Sequence, residues 1–173
     1  MDFAASSRKA GEAEMERLVA AYGTAVKRMC LLYLHDLSLA EDAAQETFLK
    51  AWRAYDTFRG DASEKTWLMR IAINTCRDMQ RTGWFRHMDR RVTPDDLPSG
   101  SMQFPQESSL VNEVMALPRR YREVVLLHYY QGLPLAEAAA VLGSNINTVK
   151  SRLMRARKML KTQLEGGGED ERP

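Results

Sequence analysis

No run of apolar residues in the 173-residue sequence approaches the roughly 20 needed to cross a bilayer. The N-terminus, Met1 to Glu16, is polar where a signal peptide would be apolar, so the chain is expected to stay in the cytoplasm without inserting into a membrane. Cysteine is scarce too. Cys30 and Cys76 lie far apart with no C-x-x-C spacing, which argues against a disulfide scaffold and a zinc ribbon and fits a reducing compartment. Both read as small buried residues. His35, His87 and His128 are not spaced to form a ligand set with either cysteine, and no carboxylate cluster accompanies a Gly-rich phosphate loop. No metal, cofactor or catalytic constellation is therefore expected. Strand signals are missing as well: β-branched residues are scattered, and nothing alternates with period two over a useful length.

What is present is a 45% hydrophobic content, enough to exclude a fully disordered chain, and a charge that is balanced only in sum. The net charge is +2, yet the last nine residues carry −3 and leave about +5 on the rest. Between Gly83 and Pro105, three prolines and Gly100 mix with Asp95, Asp96 and Ser99, a composition that breaks helices and favours an extended linker. The chain thus divides into halves at 15–82 and 106–164, joined by a linker at 83–105 and followed by a disordered tail at 165–173. Each half is small enough that its core is only marginally stable alone, so a partner's help is plausible.

Both halves read as helical. Met15, Leu18, Val19, Tyr22, Val26, Met29 and Tyr33 recur at three- and four-residue steps and predict one apolar helix face. Ser38 followed by Glu41 has the pattern of a capping box, opening a second helix with the stripe Ala44, Phe48, Ala51, Trp52 and Tyr55. Its other face carries Asp42, Gln45, Glu46, Lys50 and Arg53, which would ordinarily be a solvated surface. Ser63 is placed to cap a third helix through Trp67, Leu68, Ile71, Ala72, Thr75 and Met79. The second half predicts helices near 106–117, 119–130, 134–142 and 147–164, two of them opened by Pro118 and Pro134. The expected fold is all-α, with two small helical domains.

The segment from Leu135 to Arg152 is the most informative. A short Ala-rich helix, Gly143 for a left-handed stop and Asn145 or Asn147 as a cap together read as a helix-turn-helix. Its second helix bears Lys150, Arg152, Arg155, Arg157, Lys158 and Lys161, with no acidic residue between Ser144 and Leu164. Such a face suits phosphate neutralisation and base-edge contact in a major groove. Its apolar residues suffice for core packing but are too few for a membrane-bound face. A second cationic cluster, Arg70, Arg77, Arg81, Arg86, Arg90 and Arg91, is interleaved with Trp67, Trp84, Phe85 and His87. Rings beside cations suit unpaired nucleic acid, and the Asn74 carboxamide has the donor and acceptor to read one base edge. Trp67 at helical spacing is more often a core residue than a stacking platform.

These motifs resemble the extracytoplasmic-function, or group IV, sigma factors of bacterial RNA polymerase. Ala40 to Trp52, Phe58-Arg59-Gly60 and Thr66 to Asn74 are similar to conserved region 2 of that family. Leu117 to Val124 and Thr148 to Arg157 are similar to region 4. The resemblance implies a non-enzymatic factor that binds core polymerase, directs it to promoters and helps open them without ATP. It assigns Asp42, Gln45, Glu46 and Lys50 to a coiled coil of the β′ subunit. The minus-ten element falls to Phe58, Arg59, Gly60, Asp61, Trp67, Arg70, Asn74 and Arg77. Asn147, Thr148, Lys150, Ser151, Arg152 and Arg155 go to the minus-thirty-five element, and the same domain would dock on the β flap. It also implies an anti-sigma factor, often membrane-anchored, in a stress or envelope response. The rival reading is a stand-alone helix-turn-helix regulator, which usually needs dimer symmetry that no evident segment supplies here.

Overall fold

The computed structural model describes residues 3–81 and 108–166, with side chains over 11–81 and 110–165. Among these residues every regular element is helical. The N-terminal half holds α1 (Phe3–Leu34), α2 (Leu37–Ala54), a 3-10 turn at Tyr55–Thr57, and α3 (Glu64–Arg81). The C-terminal half holds α4 (Ser108–Ala116), α5 (Arg119–Val125) running on as a π-helical turn over Leu126–Tyr130, α6 (Leu135–Leu142) and α7 (Ile146–Gly166). The expected linker lies outside the described residues, as do Trp84, Phe85, Arg86, His87, Arg90 and Arg91 of the second cationic cluster.

Several boundaries differ from the sequence expectation, each for a local reason. Helix α1 starts at Phe3 rather than near Met15, because Ala4, Ala5, Arg8, Lys9, Ala10, Glu12 and Ala13 are good helix formers that outnumber the weaker Ser6, Ser7 and Gly11. The cap of α2 is Asp36 and not Ser38: the Asp36 carboxylate accepts the Leu39 amide at 2.8 Å. Glu41 is then free to reach sideways and pair with Lys27 at 2.7 Å. Val19 leaves the apolar face of α1, since it follows Leu18 by one residue and is rotated about 100° from it. Ser63 caps α3 as expected, its hydroxyl accepting the Thr66 amide at 3.1 Å. Gly143 ends α6 at φ 61°, and Asn145 caps α7 by accepting the Asn147 amide at 2.8 Å.

Helices α1, α2 and α3 bury Leu18, Val26, Met29, Leu39, Leu68, Met69 and Ile73 together, while α5, α6 and α7 close over Val124, Leu126, Leu127, Ala138, Val149 and Leu153. Each such aliphatic side chain is worth about 1.5–3 kcal/mol when fully buried. The two sets are continuous with one another, because α3 lies against α6 and α1 meets the π-helical turn. The two halves thus pack against one another.

Candidate nucleic-acid and polymerase interfaces

Three surfaces collect the residues singled out by sequence. The first is the outer face of α2, where Asp42 and Gln45 are exposed and Glu46 is half-buried. Positions 42, 45, 46, 49 and 52 share one side of a helix, so Leu49 and Trp52 join them. Leu49 is 51% exposed and Trp52 39%, with the indole edge beside Gly11 of α1. Large apolar side chains ringed by carboxylates and an amide have the make-up of a protein-docking surface. Sequence periodicity had put Trp52 in the apolar stripe and passed over Leu49. Lys50 stands apart: it turns toward α3, donating to the Thr75 hydroxyl at 3.2 Å and lying 3.8 Å from Asp78.

The second surface comprises the loop after α2 and one side of α3. Phe58 stacks on Trp67 with ring centroids 4.7 Å apart, and Tyr55 meets the Trp67 edge at 6.2 Å. Trp67 is thereby half-buried, a core neighbour with one side in the loop cluster. Arg59, Gly60 and Asp61 are exposed, and Gly60 takes φ 75°, a left-handed turn that a side chain would strain. Arg70, Asn74 and Arg77 follow along α3 at helical spacing. Arg77 donates to the Asn74 side-chain amide oxygen at 3.4 Å and, through its guanidinium fork, to Glu123 of α5 at 2.9 and 2.8 Å. Arg70 donates to the Ala140 carbonyl of α6.

The third surface is the reading face of α7. Val149, Leu153 and Ala156 are buried on one side; Asn147, Thr148, Lys150 and Arg155 are exposed, with Ser151 and Arg152 half-buried beside them. A cleft lined by Arg120, Tyr121, Asn147, Thr148, Ser151, Arg152 and Arg155 opens between α5 and α7. The Arg155 side chain beside it, and then the charge of Arg120, pull the Tyr121 phenol below its ordinary range. Arg120 itself lies over the Tyr121 ring, 4.7 Å from the centroid. Met154 is 65% exposed. A bare apolar side chain among cations suits contact with a thymine methyl. Arg120, Tyr121 and Met154 were not evident from spacing, although Arg119-Arg120-Tyr121 directly after Pro118 was a signal that a cationic helix start lies near the reading helix.

Cys30 and Cys76 are both free thiols, fully buried in the N-terminal core. Their mutual contact and then burial push the Cys76 thiol well above its ordinary range, so it stays protonated and a poor nucleophile. No helix of the described residues is long and apolar enough to cross a membrane.

The described residues, all-helical with a helix-turn-helix at one end and a three-helix unit at the other, have the form of a promoter-recognition factor. The Sigma-70 region 2 family matches residues 18–86, and the Sigma-70 region 4 family matches residues 108–160. The RNA polymerase sigma-H factor of Pseudomonas aeruginosa is 32% identical over 163 residues, covering 86% of this chain and 84% of that one. The ECF RNA polymerase sigma factor SigW of Bacillus subtilis is 30% identical over 162 residues, covering 85% and 87%. Among solved structures, CnrH in complex with the cytosolic domain of CnrY superposes with a TM-score of 0.68 at 28% identity over 90% of each chain. RpoE of Bartonella quintana, solved with the anti-sigma factor NepR, shares the fold with a TM-score of 0.70 at 24% identity, covering 92% and 99%. The chain belongs to the extracytoplasmic-function sigma factors. It is a transcription initiation factor and not an enzyme.

Proposed function

We propose that the three surfaces divide the work of promoter use. The outer face of α2, with Asp42, Gln45 and Glu46 around Leu49 and Trp52, docks on the β′ coiled coil of core polymerase. Lys50 contributes from the edge of that face, held toward α3 by Thr75. Phe58, Arg59, Gly60 and Asp61 of the loop, with Trp67, Arg70, Asn74 and Arg77 of α3, bind and open the minus-ten element. Capturing one unstacked base there offsets the few kcal/mol of unpairing, so opening needs no nucleotide hydrolysis.

The α7 face reads the minus-thirty-five element. Lys150 and Arg155 supply base-edge and phosphate contacts, Ser151 and Arg152 line the cleft, and Asn147 and Thr148 at the helix start hold a phosphate. The apolar groove lined by Leu110, Val114, Val125, Tyr129, Leu160 and Leu164 on the far side of the domain fits the β flap. The protein works in the cytoplasm in a stress or envelope response, and an anti-sigma factor holds it inactive, as NepR and CnrY accompany the two similar solved chains. The observation that carries this reading is the pairing, in one chain, of an open polar-and-apolar α2 face with an open cationic reading helix.

Transcription of fragmented genomic DNA by purified bacterial core polymerase, with and without the protein, tests it. New RNA 5′ ends that share two spaced upstream elements are the expected result. Binding to duplex DNA without any new start would favour the stand-alone regulator.

A further inference from the structure

The loop 58–63, exposed beyond Phe58, leaves α2 and enters α3 with both of its ends tied to one edge of α1. At the leaving end, the Tyr55 hydroxyl donates to Glu14 at 2.9 Å, and the Tyr55 ring lies 6.5 Å from Phe58 and 6.2 Å from Trp67. The Tyr55 carbonyl accepts the Phe58 amide at 3.0 Å, so the first loop residue is held by the residue that Glu14 holds. At the entering end, Glu64 in the first turn of α3 accepts from Arg17 and, at 3.3 Å, from the Tyr22 hydroxyl. Arg17 also donates to Glu14 at 2.9 Å, which joins the two ends through α1. The Arg17 hydrogen bond first, and that of Tyr55 next, hold the Glu14 carboxyl below its ordinary range, so it stays an ionised acceptor.

We infer that Glu14 of α1 is a positioning residue for base capture: through Tyr55 at one end and Arg17 with Glu64 at the other, it holds the loop 58–63 in its capturing form before the minus-ten base unstacks. The inference rests on the assignment of that loop to the minus-ten element made above. Glu14 and Arg17 precede residues 18–86, which match the region 2 family, so this brace lies outside the matched segment. Exposed ion pairs add little to stability, so what these contacts fix is the geometry of the loop ends. Rigidifying a loop in its bound form lowers the cost of binding, and here the ligand is a base that must be caught as it leaves the stack.

The test uses holoenzyme assembled from core polymerase and the full chain. Its templates are a promoter located by the transcription experiment above and copies of it with single minus-ten bases replaced. Permanganate reactivity against time gives the opening rate at saturating holoenzyme, and its concentration dependence gives closed-complex affinity. On the native promoter, Glu14→Ala and Tyr55→Phe should each slow opening about fivefold, as the fraction of loops poised for capture falls, with closed-complex affinity unchanged. Glu14→Gln still accepts from Tyr55 and Arg17 and should open at close to the native rate. Glu14→Ala combined with Tyr55→Phe should be no slower than Glu14→Ala alone. On the copy that lacks the captured base, the native chain is already slow and neither variant should slow it further, because no capture is left to assist. Native opening rates for both variants, with helical circular dichroism intact, overturn the inference. So does a slowing that is equal on every copy, which marks a merely structural role. Should Glu14→Ala lose its helical circular dichroism, Tyr55→Phe carries the test alone. Asn74→Ala in the same assay separates the two failures: slowed opening there keeps the minus-ten assignment and refutes only the positioning role, whereas native opening refutes both.

Discussion

Helices α2 and α3 belong to one small domain and share one core, yet they present opposite situations to a partner. On α2, Asp42, Gln45, Leu49 and Trp52 stand in solvent. On α3, Arg70, Arg77 and the capped first turn are engaged by α5 and α6. A surface already exposed can bind without rearrangement, whereas an engaged one must first give up its contacts.

The sharpest way to break this contrast is at the open face. Asp42→Lys combined with Glu46→Lys should abolish co-purification with core polymerase, since juxtaposed like charges at an interface cost several kcal/mol, with helical circular dichroism unchanged. Next in size is the engaged face. Asn74→Ala should lower promoter opening about tenfold or more, as read by permanganate reactivity, while leaving closed-complex affinity nearly intact, because a lost base contact acts only on the unstacked state. Third, Arg155→Ala should cost about 1–3 kcal/mol of preference for the upstream element if Arg155 makes a bidentate base contact, measured by competition between promoters with and without that element. Smallest is Tyr121→Phe, which frees Arg155 without removing it. A smaller share of the same preference should go, and nothing further when Arg155 is already alanine. A loss that adds fully to that of Arg155→Ala would mean that Tyr121 acts on its own.

Much of this contrast could be read in the sequence, and the rest could not for definable reasons. The helix-turn-helix was legible because Gly143 and the Asn145 cap are local requirements of the backbone, and the buried stripe of α7 follows from spacing alone. The α2 face was legible in its polar members and only there. Periodicity assigns an apolar residue on the stripe to the core by default, and nothing local distinguishes Trp52 from Phe48. The cap of α2 moved from Ser38 to Asp36 because both residues can accept an amide, and the choice depends on where α1 ends. Tyr33, Arg77 and Glu123 meet across separations of 46 and 90 residues, which no helical period encodes. The sequence predicted two domains and a linker; that the domains share a core and a buried ion pair is a tertiary fact.

The measurement that bears most directly on the proposed division of work is permanganate reactivity of a promoter bound by core polymerase with either the native chain or Asn74→Ala. Reactive thymines around the minus-ten element are expected with the native chain, and about tenfold less reactivity at equal promoter occupancy with Asn74→Ala. Equal reactivity for the two would contradict the assignment of α3 to the minus-ten element.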